Sequence, residues 1–237
     1  MAQAQAQYQY QFQPPLFPIQ QWTRSIPSPS PPPKSPVGTA IATNEATEEY
    51  IISTDPSLIS LSALDNAFAQ EYMYWAKPLP ASILKDMVDR SLCFGVYRHK
   101  CNNAKADNVQ VDADADAIVD SAMTTSSENL NHNPNPRPNT TTLIQIGFAR
   151  LITDNITFAY LTDVYILPEY QGAGLGSWLL QCVNEWMDGR GENFRRLMFV
   201  TVGERAEEYY QRVMGAETQG KKGGVFVMGR KGKGALV

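Results

Sequence analysis

The chain has 237 residues, 43% of them hydrophobic and 19% charged, with a net charge of -4, which suits one sizeable domain with tails. That acidic balance argues against a general nucleic-acid binder, leaving at most a local basic patch for phosphates. No stretch approaches the roughly 18 consecutive apolar residues of a membrane span, so no membrane partner is expected.

Cys93, Cys101 and Cys182 are odd in number and lack metal-ligand spacing, which points to a reducing compartment, the cytoplasm or the nucleus. Cys182 falls on an apolar helix face and reads as core. With only His99 and His132 present, a histidine metal site or a Ser-His-Asp triad has few places to come from, and no metal is expected.

Residues 1–46 pass from alternating Ala and Gln through YQYQFQPPLFP to SIPSPSPPPKSP. Proline supports neither a central strand nor a helix interior, so this segment is expected to be a disordered tail with polyproline-II character. It lacks the apolar core of a signal peptide. A domain is expected over 47–237. Residues 49–54 read as its first strand; Asp55-Pro56 breaks it, and Asp55 or Ser57 can cap a helix over about 58–69 with Leu58, Leu61, Leu64 and Phe68 on one face. The aromatic connector 72–76, YMYWA, suits either core packing or a pocket wall. A second helix starts at Ala81 or Ser82, and 92–97 reads as the second strand.

From about 98 to 142 the pattern dissolves into a polar, then Asn/Pro/Thr-rich insertion that cannot bury enough apolar surface to offset its ordering entropy. Asp112, Asp114 and Asp116 lack the glycine and the twelfth-position glutamate of a calcium loop, and read as solvated linker. The flanking strands would form a hairpin whose connection has grown, which costs little closure entropy. Residues 143–153 form the third strand, Asp154-Asn155 turns into the fourth over 158–167, and 195–202, 204–214 and 223–229 read as strand, helix and strand.

Between the fourth strand and a helix over 175–187 lies Gln171-Gly172-Ala173-Gly174-Leu175-Gly176. Three glycines in five positions leave peptide N–H groups unshielded at a helix N-terminus, a ready anion site. No lysine follows, which excludes a Walker A loop, and G-x-G-x-G fits the dinucleotide fingerprint poorly.

Gln171, Gly174 and Gly176 resemble instead the Q/R-x-x-G-x-G/A signature of the GNAT superfamily of acetyl-CoA-dependent N-acetyltransferases. The resemblance covers residues 48 to 230, is specific over 158–187, and implies an α+β (αβα sandwich) GNAT fold whose fourth and fifth strands splay apart. It implies an acyltransferase with acetyl-CoA as cosubstrate. Amides from Gly172, Ala173, Gly174, Leu175, Gly176 and Ser177 would hold the pyrophosphate, beside Gln171, and Val164, Tyr165 and Ile166 would pair with pantetheine. A backbone N–H near Tyr165 is the expected oxyanion donor. Residues 206–215 compare with the family's A-x-x-x-Y-x-x-x-G ending with one residue added. The acid for the departing thiolate is therefore Tyr209 or Tyr210, with Tyr210 favoured. Asp163 is the one carboxylate within the fourth strand and the candidate for ammonium binding or water-mediated deprotonation. Strand alternation sets it opposite Tyr160 and Thr162 unless a bulge turns it inward. Glu169 and Glu204 read as surface. The expected partners are acetyl-CoA and a small amine, or a protein lysine or N-terminus, in a monomer or homodimer. The alternative is a GNAT-like CoA-binding or interaction module without activity. Nothing in the sequence names the acceptor.

Overall fold

The computed structural model describes residues 18–27, 47–101 and 141–236. The chain divides into two compact units, one of residues 1–99 and 143–237 and the other of residues 100–142. Apart from the strand ends at 100–101 and 141–142, everything described lies in the first unit. Asp112, Asp114, Asp116 and His132 fall outside the described residues.

Among the described residues eight strands form one sheet: β1 (Gln21–Pro27), β2 (Thr47–Ser53), β3 (Leu92–Cys101), β4 (Thr141–Thr153), β5 (Phe158–Ile166), β6 (Arg196–Val202), β7 (Glu217–Lys222) and β8 (Val225–Lys231). Their spatial order is β1-β2-β3-β4-β5-β6-β8-β7. Four helices, α1 (Leu61–Phe68), α2 (Ala81–Asp89), α3 (Leu175–Asp188) and α4 (Glu204–Met214), cover its two faces. This is the α+β sandwich that the family resemblance implies.

Strand periodicity distributes the core between the faces. On β3, Leu92, Phe94 and Val96 pack with α3, while Cys93 packs with α1 and α2. Helix α3 is apolar along most of its length and buries Leu175, Trp178, Leu179, Leu180, Cys182, Val183, Trp186 and Met187. A helix so deeply set fixes its own N-terminus rigidly against the sheet.

Four expectations are corrected. Residues 18–27, placed in the tail, include β1, which pairs antiparallel with β2 from Gln21↔Ser53 to Pro27↔Thr47. The Trp22 ring stacks on Phe94 with centroids 5.9 Å apart, and its indole N–H donates to Glu185 at 2.6 Å. Alternating Trp22, Arg24 and Ile26 supply the face that packs; the surrounding proline-rich composition hides a seven-residue strand. Residues 1–17 and 28–46 lie outside the described residues. The first helix starts at Leu61, not Leu58: Asp55 caps a 3-10 turn over Pro56–Leu58, and Ser60 accepts from the Ala63 amide to cap α1. The strands beside the insertion run further than expected, β3 to Cys101 and β4 from Thr141. Finally, the last strand is the second arm of a hairpin whose first arm, β7, is exposed at every position. Gly223 and Gly224, at φ 57° and 77°, form the two-residue turn that both-positive φ values favour.

With β1 counted, the strand expected as fourth is β5. It pairs antiparallel with β4 and parallel with β6, but the parallel ladder holds only Phe158↔Arg196, Ala159↔Leu197 and Tyr160↔Met198. Beyond Tyr160 the two strands part, leaving the β6-facing edge of β5 unpaired over residues 161–166.

Candidate active site

A bulge makes the site. The β4–β5 register jumps from Phe148↔Tyr165 to Arg150↔Thr162, so Asp163 and Val164 together oppose Ala149. Asp163 adopts φ 54°, a left-handed conformation tolerated best by short polar side chains. The extra residue reverses the strand's alternation: Ala159 and Leu161 pack toward α3, whereas Tyr165 packs toward α1 and α2. Asp163 is thereby turned to Arg150, whose Nε donates to its Oδ2 at 2.7 Å. Arg150 also donates to Ser91 at 3.2 Å, and the hydroxyl of Thr162 to Asp163 Oδ1 at 3.3 Å. The inward turn conceivable from sequence is realised, and a partner that sequence reasoning missed comes with it. Arg150 and Asp163 stand thirteen residues apart on neighbouring strands, and only the bulged register juxtaposes them.

The glycine turn follows β5 through a 3-10 turn over Pro168–Tyr170. Gln171 Nε2 donates to the Ile166 carbonyl at 2.8 Å, so this side chain ties the turn to the strand end. Gly172 and Gly174 have φ 87° and 78°, and Gly174 is the N-cap of α3 without a side-chain cap. The first amide bonded back into the helix is that of Trp178, to Gly174 O at 3.0 Å. The N–H groups of Gly172 to Ser177 therefore have no acceptor among the described residues, and those of the first helical turn carry the positive end of the dipole. A Cβ on Gly176 would lie 3.1 Å from the Tyr209 hydroxyl; glycine there lets α4 close onto α3.

Two cavities meet in the gap between β5 and β6. The first, about 700 Å³, is lined by the glycine turn and by Val164, Tyr165 and Ile166. It collects the expected cosubstrate residues Gln171, Gly172, Gly174, Leu175, Gly176 and Ser177. Ala173 belongs to the turn but does not line the cavity. The second, about 570 Å³, is lined by Arg150 and Asp163 on one side and residues 199–202 of β6 on another. Trp75, Val164 and Tyr210 line both. The aromatic connector thus does both things its sequence allows: Met73 is buried against α1 and α2, while Tyr74 and Trp75 wall the cavities.

The two tyrosines of α4 separate clearly. Tyr209 lies 3.2 Å from Ser177 Oγ at the helix turn. Tyr210 packs on Phe199 with ring centroids 4.5 Å apart and faces both cavities. Burial, followed by the neighbouring Tyr209 and Tyr74, pushes the Tyr210 phenol up to about 12. Burial likewise raises the Tyr165 phenol. Both remain neutral donors at neutral pH. Glu169 and Glu204 are exposed, as expected; Glu204 pairs with Lys221 at 3.4 Å.

Comparison with known proteins agrees with this geometry. A family model described as Acetyltransferase (GNAT) family matches residues 132–216. A protein of Gibberella zeae named "Putative acetyltransferase FG08082" is 37% identical over 154 residues, covering 65% of this chain and 72% of its own length. The chain belongs to the GNAT acetyltransferase family. It is an acyltransferase, and acetyl transfer is its general activity. Among solved structures, a GNAT-family protein of Xanthomonas campestris pv. campestris is 25% identical, covering 69% of this chain and 82% of that one with a TM-score of 0.42. A GNAT acetyltransferase of Streptococcus pneumoniae is 14% identical, covering 77% and 98%, with a TM-score of 0.48. Among the described residues of this GNAT protein, no helix is long and apolar enough to cross a membrane.

Proposed function

We propose that this GNAT protein transfers the acetyl group of acetyl-CoA to a primary amine by direct attack. The observation that carries the reading is the meeting of two cavities at Val164 and Tyr210, where β5 and β6 part. A thioester entering from one side and an amine from the other would converge without a covalent enzyme intermediate.

The ligand's parts fit the first cavity. A pyrophosphate suits the acceptor-free amides of the Gly172–Ser177 turn, and a peptide-like arm suits the free β5 edge at Val164, Tyr165 and Ile166. An N–H of that same edge can serve the oxyanion. In the second cavity, Arg150 occupies Asp163 Oδ2, and Oδ1, which accepts the Thr162 hydroxyl at 3.3 Å, keeps a second lone pair for an ammonium. Held in an ion pair, Asp163 binds and orients the amine while its proton leaves through water. The amine nitrogen then bonds to the carbonyl carbon, the C–S bond breaks with its electron pair on sulfur, and Tyr210 donates a hydrogen bond to that sulfur.

Thermal-shift titration tests the first half: at 100 times its dissociation constant acetyl-CoA should add about 2.7 kcal/mol of stability, with no comparable response to NAD or ATP. Release of free CoA dependent on added amine tests the second. Stabilisation by acetyl-CoA without release across pooled amines would leave a CoA-binding module and overturn the catalytic reading.

A further inference from the structure

We propose that the acceptor is a small primary amine carried on a flat aromatic body, rather than a polyamine or a lysine within a basic peptide. The inference rests on the acetyl-transfer reading of this site and adds the class of substrate.

Charge is the first argument. Among the described residues lining the acceptor cavity only Arg150 and Asp163 are charged. They are bonded to each other at 2.7 Å, with side chains 14% and 10% exposed, so the described lining carries no net charge. A polyamine brings a second and third ammonium, and a basic peptide brings more, with no further carboxylate among the described lining residues to receive them. One ammonium is provided for by Asp163 Oδ1, in a cavity that Tyr160 and Tyr210 also line.

Much of the rest of the wall is exposed apolar side chain, interspersed with Tyr160, Thr162 and Thr201. Tyr74 is 66% exposed, Trp75 46%, Val200 48% and Val202 47%. Apolar side chains exposed around a concavity suit a ligand surface. The arrangement also has a shape. The Tyr74–Trp75 pair, edge-to-face with centroids 4.8 Å apart, stands on the connector, whereas Val200 and Val202 stand on β6. The cavity is therefore bordered by a ring pair and by two β-branched side chains, surfaces on which an aromatic group can pack. A volume of about 570 Å³ lies in the usual range for small molecules.

The reaction balances with such an acceptor. Its ammonium gives one proton to water, its lone pair forms the N–C bond, the C–S bond breaks, and the second nitrogen proton matches the one gained by sulfur. One amide, one thiol and one released proton result.

The test uses the full chain, with CoA release followed by a thiol reagent, and compares 2-phenylethylamine and tryptamine with spermidine and a lysine-rich peptide. The aryl amines should exceed the others in kcat/KM by roughly tenfold or more. Val202→Asp, at a half-exposed position lining only the acceptor cavity, introduces a carboxylate and should shift the ratio toward spermidine. Trp75→Ala should raise KM for tryptamine more than for a short aliphatic amine. Preference of the unaltered protein for spermidine or the peptide would overturn the proposal, as would an unchanged ratio in the Val202→Asp variant. Absence of any acetyl-CoA thermal shift would remove the underlying reading too, so the two failures are distinguishable.

Discussion

Replacing Tyr210 by phenylalanine asks how the departing sulfur is handled. The phenol is pushed up to about 12, whereas an ordinary thiol titrates near 8.5, so handing the proton over outright runs uphill by about 5 kcal/mol. A phenol that keeps its proton can still donate a hydrogen bond to the developing thiolate, and such charge-assisted bonds contribute about 1.5–3 kcal/mol. At 1.36 kcal/mol per decade this corresponds to a loss of about 10- to 150-fold in kcat, toward the lower part of the roughly 10²–10⁴-fold range of a full general acid. The ring and its packing on Phe199 at 4.5 Å survive, and the hydroxyl has no hydrogen-bond partner among the described residues. Folding stability and CoA affinity should therefore hold. Because burial raises the phenol's pKa, the proton is present at neutral pH, and loss of activity from Tyr210 ionisation should set in only as the pH approaches about 12. The assay is steady-state CoA release beside CoA binding, with Tyr209→Phe as control. Tyr209 sits at the helix turn, 3.2 Å from Ser177, so its loss should act on KM for acetyl-CoA. A Tyr210→Phe variant within about threefold of the original kcat would refute the reasoning, as would a kcat loss carried by Tyr209.

Gly174→Ala forces an L-residue to φ 78°, costing about 1–2 kcal/mol; Tm should fall by several degrees and stabilisation by acetyl-CoA should shrink. Trp22→Ala strips β1 of its contact with Phe94 and should cost about 2 kcal/mol in urea unfolding; an unchanged midpoint would mean that β1 contributes nothing to the fold. Asp163→Ala leaves the Arg150 guanidinium buried without its counter-charge and should lose about 3–5 kcal/mol, much of it recovered when Arg150→Met is added. Burial pushes the Cys93 and Cys182 thiols up to about 12, so at pH 8 both should resist a thiol reagent while the protein is folded and react once it unfolds, as read by peptide mass spectrometry.

Where local sequence decides structure, the sequence was readable. Helix α4 begins and ends where its periodicity and Gly215 place it, and the glycine turn is flagged by residues that leave few other conformations. Features that depend on neighbours distant in the chain were less so. The strand β1 has a two-residue period, but its short length within proline-rich composition masks it, and its stability comes from Phe94 and Glu185, far away in sequence. For β7 there was no signal, since a strand exposed on every side has no periodicity to show. In the site, the cosubstrate turn was legible while the acceptor side was only partly so. Asp163 could be singled out as the strand's carboxylate, but Arg150, its partner, depends on a bulge whose register no local pattern fixes.

The brevity of the β5–β6 ladder has a mechanical meaning. Three register pairs, together with α3 packed on α4, form the seam between the β1–β5 part of the sheet and the part made of β6, β7 and β8. The β6-facing edge of β5 over residues 161–166 is about 20 Å long, so a pivot of roughly five degrees at the seam would displace its far end relative to β6 by about 2 Å. Since Val164 on that edge lines both chambers, such a pivot would change the width of both together, and the two reactants would share one mechanical element.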